Sequence, residues 1–111
     1  MALTPQIESL IQRLLSLTVD GKVEWEETAR ERTFLAGLGR YAVTVEESGS
    51  RGTLSYTIEV SDHTGRPIDD ASVSSGDYFA SLQELYALAR RKALNVSGSL
   101  SDLLSSLAEI R

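Results

Sequence analysis

The chain contains no cysteine. Disulfides, thiolate metal sites and cysteine nucleophiles are excluded together, and the composition fits a reducing compartment. Histidine is almost as scarce: His63 stands alone, so a zinc site has next to no ligands to draw on. No apolar run approaches the roughly 18 residues of a membrane span, and the start lacks the basic and apolar stretches of a signal peptide. The expectation is a cytoplasmic protein with no membrane association. A basic excess is missing too, with 11 Lys and Arg against 16 Asp and Glu and a net charge of −5. Residues 1–55 carry six basic and eight acidic groups and residues 56–111 five and eight, so neither half offers the cationic face of a phosphate binder. No nucleic-acid partner is expected.

What is present is an ordinary globular composition, 41% hydrophobic and 24% charged over 111 residues. A chain of this length buries roughly two-thirds of its unfolded surface. Residues 1–111 therefore read as one domain, without repeats or a long linker.

In "LTPQIESLIQRLLSLTVDG", Ile7, Leu10, Ile11, Leu14 and Leu17 form one apolar stripe at helical spacing. Thr4 can cap this helix, Pro5 suits its first position, and Asp20-Gly21 ends it. The spacing predicts a helix over 5–18. "RYAVTVEE" and "TLSYTIEVS" instead alternate with period two. Tyr41, Val43 and Val45, and then Leu54, Tyr56, Ile58 and Val60, fall on one face, and "SGSRG" joins the two strands as a hairpin. "RTFLAGLG" is an earlier strand, with Gly37 and Gly39 marking a bulge or tight turn. "KVEWEE" alternates as an edge strand. In "SDHTGRPI", Asp62 can bond its own backbone and Gly65 can take positive φ, and Pro67 keeps a short return strand over 66–69 at the sheet edge.

"DYFASLQELYALARRKALN" returns to helix over 78–94. Its stripe is Tyr78, Leu82, Leu85 and Ala89, with Asp77 as cap and Asn95 as a left-handed stop. "VSGS" then reads as a hinge. Ser99 and Asp102 open a tail helix over 99–110 whose stripe is Leu100, Leu103, Leu104, Leu107 and Ile110. The fold class is α+β: an N-terminal helix, an antiparallel sheet of three to five strands, and two C-terminal helices packed on one face.

Chemistry is sparse. Asp62-His63-Thr64 suggests a triad, but neighbours in a tight turn diverge, so His63 reads as an exposed turn residue. Adjacent acids such as Glu46-Glu47 and Asp69-Asp70 would point to opposite faces of a strand and lack the spacing of a calcium loop. "GLGRY" has neither the third glycine nor the helix of a nucleotide fingerprint. No catalytic residue, cofactor or metal site is expected. Trp25 sits among Glu24, Glu26 and Glu27, but on a strand its ring points away from Glu24 and Glu26, which makes it core. Arg90, Arg91 and Lys92 read as a solvated helix end favoured by the dipole.

"LLSLTVDGKVEWEET", "YTIEVSDHTGRPID" and "LYALARRKALNVSGSLSDLLSSL" resemble a group of small uncharacterised bacterial and prophage proteins. These open with a helix ending L-T-x-x-G-K-x-x-W and close with an L-Y-x-L-A-R-R helix and a leucine-rich tail. The resemblance implies a bacterial setting and a helix–sheet–helix order, and it brings no activity with it.

Four strands about 4.8 Å apart span about 19 Å, room for two helices packed about 8–10 Å apart. The third amphipathic helix, 99–110, is left seeking cover. The leading expectation is a non-enzymatic interaction or accessory protein, a homodimer or the binder of a helical protein partner, whose interface holds Leu100, Leu103, Leu104, Leu107 and Ile110. The alternatives are a small hydrolase or transferase using carboxylates such as Glu46 or Asp69, and nucleic-acid binding through Arg90, Arg91 and Lys92. The latter needs Arg30, Arg32 and Arg40 on the same face.

Overall fold

The computed structural model describes residues 5–50, 52–76 and 78–109. The expected caps Thr4 and Asp77, and Ile110 of the tail stripe, lie outside these. The architecture is α+β. Helix α1 (Pro5–Val19) leads into strands β1 (Glu26–Glu27), β2 (Thr33–Leu38), β3 (Tyr41–Ser50), β4 (Thr53–Asp62) and β5 (Pro67–Val73), followed by helices α2 (Phe79–Ala93) and α3 (Val96–Glu109). The strands form one antiparallel meander in sequence order.

One face of this sheet is covered. Phe34, Ala36, Val43, Val45, Tyr56, Ile58 and Ala71 are buried from the sheet side, Ile7, Ile11 and Leu14 from α1, and Leu82, Leu85, Tyr86 and Ala89 from α2. The period-two and period-3.6 stripes thus meet in a single core. The cover is shorter than the strands. Tyr41, at one end of the apolar row, is 51% exposed, and Leu54, at the other, is 40% exposed. A ten-residue strand spans about 33 Å, whereas a 15-residue helix spans about 22 Å.

Local chemistry sets the ends. The backbone N–H of Gly21 (φ +75°) donates to Thr18 O at 3.1 Å, and that of Lys22 to Leu17 O at 2.9 Å, so a left-handed glycine closes α1. Asn95 performs the same task for α2 at φ +49°. Its own carbonyl accepts from the Ser99 N–H at 2.9 Å. One residue therefore stops one helix and starts the next.

That join corrects the expected hinge. Residues 96–99 are the first turn of α3, which places Ser99 inside the helix and removes its capping role. Three other boundaries differ. The β3–β4 ladder runs to Ser50↔Thr53, leaving only two residues between the strands. The return strand extends to Val73 rather than Asp69. Only Glu26 and Glu27 of "KVEWEE" pair with β2. Val23 and Trp25 are nevertheless each 5% exposed, while Glu24, Glu26 and Glu27 face solvent. The alternation is real, but the buried pair is held by α1 and the core rather than by a strand ladder.

Candidate interaction surface

The apolar face of α3 is open. Leu100, Leu103, Leu104 and Leu107 are 50%, 52%, 68% and 52% exposed. At 100° per residue these four share one stripe, whereas Asp102 and Glu109 project from the opposite side. The extensive contacts of α3 are with α2 alone, so its leucines line an uncovered face some 10 Å long. α1 and α2 have taken the core positions, as the width of the sheet requires.

The cations of α2 spread around its C-terminal end. Arg90 turns toward the β1–β2 turn, where it lines a cavity of about 300 Å³ with Arg30, Arg32, Phe34 and Tyr86. Arg91 and Lys92 line a different hollow with Val19 and Leu88. Two of the three further arginines sought for a nucleic-acid face therefore meet Arg90. Arg40 does not, because it sits in the β2–β3 turn at the other end of the strands. Glu27 and Glu31 line the same cavity, and Arg30 is tied to Glu46 at 2.6 Å. Charge of both signs alternates there, unlike a phosphate-tracking stripe.

The carboxylates fare similarly. Glu46 and Glu47 do point to opposite faces. Glu46 meets Arg30 and accepts from the hydroxyls of Ser48 at 3.2 Å and Thr33 at 3.4 Å. Glu47 lies at the end of the core face, directly across from Tyr56, and accepts its phenol at 2.8 Å. Burial first, and then this acceptor, push the Tyr56 hydroxyl above its usual pKa. Burial and the Glu47 charge do the same for Tyr86, partly opposed by Arg90 and Arg32. Asp69 accepts from the Asp70 N–H at 2.9 Å on the exposed strand β5. Glu46 and Asp69 stand on different rows of the sheet, two strands apart, and share no site. No group of three His, Asp or Glu side chains suited to a metal occurs among the described residues.

His63 is an exposed turn residue. Asp62 organises that turn. Its Oδ1 accepts from the Thr64 hydroxyl at 2.5 Å, the Thr64 N–H at 2.9 Å and the Arg66 N–H at 3.0 Å. The Thr64 hydroxyl contributes most to holding this carboxyl below its ordinary pKa. Gly65 takes positive φ, +88°.

Sequence reasoning missed the aromatic cluster beside the cavity. Phe34–Tyr86, Tyr56–Tyr86 and Tyr56–Phe79 ring centroids lie 5.6, 5.5 and 5.4 Å apart. The four rings come from three elements, and only the β2–β3 and β3–β4 registers combined with the α2 crossing bring them together. Among the described residues no helix is long and apolar enough to cross a membrane. The chain matches no protein-family model, no curated protein and no solved structure.

Proposed function

We propose that this protein is a non-enzymatic interaction protein that self-associates in the cytoplasm, with α3 of one copy packing on α3 of a second. The observation that carries the reading is the uncovered leucine stripe. Full burial of a leucine is worth about 1.5–3 kcal/mol, and each of the four retains roughly half of that to gain. Two copies bring eight such side chains, or roughly 6–12 kcal/mol, against an association cost of about 4–15 kcal/mol. At the favourable end of these ranges about 8 kcal/mol is left, the strength of a weak dimer formed at micromolar concentration. Self-pairing also suits the charge pattern. With Asp102 and Glu109 on the far side of α3, two identical stripes meet without opposing like charges, and a two-fold pairing closes the assembly.

The test is sedimentation of the full chain beside a Leu103→Gln/Leu107→Gln variant. The reading expects the wild type to sediment as a dimer and the variant as a monomer of unchanged secondary structure. A variant that dimerises as tightly as the wild type rules α3 out as the interface.

A further inference from the structure

The cavity between the β1–β2 turn and the C-terminal half of α2 has chemistry that self-association does not use. Arg32 and Arg90 both line its volume of about 300 Å³. The one ion pair among the described residues joins Arg30 to Glu46, so among these residues neither of the two guanidiniums is within ion-pair distance of a carboxylate. Both are close enough to the Tyr86 hydroxyl to oppose the upward shift of its pKa. Phe34 and Leu94 add an apolar wall, and the Phe34 and Tyr86 rings lie 5.6 Å apart.

The turn that presents Arg32 is held in place. The Thr28 hydroxyl lies 3.0 Å from the carbonyls of Arg30 and Thr33 and accepts from the Arg30 N–H at 3.2 Å. Arg32 adopts φ +55°, a left-handed backbone that residues with side chains rarely take, and its carbonyl accepts from the Glu47 N–H at 3.0 Å. The held turn thus brings Arg32 to the same cavity as Arg90 and the Phe34 and Tyr86 rings.

We propose that this cavity binds a carboxylate carried on an apolar or aromatic stem. The fork of a guanidinium matches a carboxylate through two parallel hydrogen bonds. The Tyr86 hydroxyl supplies a further donor, and the stem rests on Phe34 and Leu94. Glu27 and Glu31 line the same cavity and select among anions. A monocarboxylate satisfies the two arginines, whereas the second charge of a phosphate meets these acids unfavourably.

The test is a nitrogen-15 NMR titration of the full chain with phenylacetate, compared with neutral 2-phenylethanol and inorganic phosphate. Phenylacetate should give saturable shifts at Arg32, Tyr86 and Arg90. Its affinity should fall about tenfold or more in Arg90→Gln and in Arg32→Gln and stay unchanged in Arg40→Gln. Arg90 is an exposed helix position, so that variant keeps the fold and its loss of binding reads on the site. No saturable shift, equal binding of 2-phenylethanol or phosphate, or full binding by Arg32→Gln and Arg90→Gln would overturn the assignment.

Discussion

The indole Nε1 of Trp25 donates to the hydroxyl of Thr18 at 3.1 Å, and both residues are buried. The bond joins the last turn of α1 to the segment that enters the sheet, and it satisfies two polar groups that water does not reach. Trp25 is therefore a plug under α1, with its neighbouring acids in solvent. Trp25→Ala should destabilise the domain by about 3–5 kcal/mol. Thr18→Val leaves the indole N–H without an acceptor and should cost about 1–3 kcal/mol. Urea unfolding followed by circular dichroism measures both. Blue-shifted wild-type tryptophan emission is the companion observation, and fully solvent-like emission would contradict the placement.

Tyr56 and Tyr86 predict an alkaline limit to stability. Their hydroxyls ionise at higher pH in the folded chain than the ordinary value of about 10 in the unfolded one. Between those values the folded state holds more protons than the unfolded state, so unfolding free energy falls as pH rises. Their contribution is fully present below the unfolded pKa and is lost as pH passes through the folded values. Denaturant midpoints should be level near pH 8–9 and decline above about pH 10, with a shallower decline in Tyr56→Phe. An identical slope in that variant would remove Tyr56 from the explanation.

Replacing Arg90, Arg91 and Lys92 together by Gln should leave the fold intact. These side chains occupy the last turn of α2, where a favourable dipole contribution and surface charge together amount to at most about 1 kcal/mol. With acids interspersed around Arg90, the wild type should show no salt-dependent DNA binding near 100 mM salt. Steep salt-dependent binding that the triple variant loses would instead favour the nucleic-acid reading.

The stripes of α1 and α2 and the alternation of β3 and β4 were legible because one buried face imposes a period on the chain. Val43, Val45, Tyr56 and Ile58 are buried where that pattern puts them. The exceptions have local causes. Tyr41 and Leu54 follow the same alternation but extend past the helices, and a period says nothing of how long the cover is. "VSGS" looks like punctuation, since serine and glycine are weak helix formers. The break is Asn95 alone, and the helix restarts at once behind it. The Arg32–Arg90 cavity was invisible because its residues are 58 positions apart and meet only through the packing of α2 over β2. The uncovered face of α3, by contrast, followed from counting helices against the width of the sheet.

The most direct test of the self-association reading is the mass of the wild-type chain by light scattering over a micromolar concentration series. The account predicts a rise toward twice the 12.1 kDa of one chain. It also predicts that exchanging Leu100, Leu103, Leu104 and Leu107 for Gln abolishes the rise while preserving the unfolding transition of the core. A wild type that remains at the mass of one chain up to high concentration would contradict it.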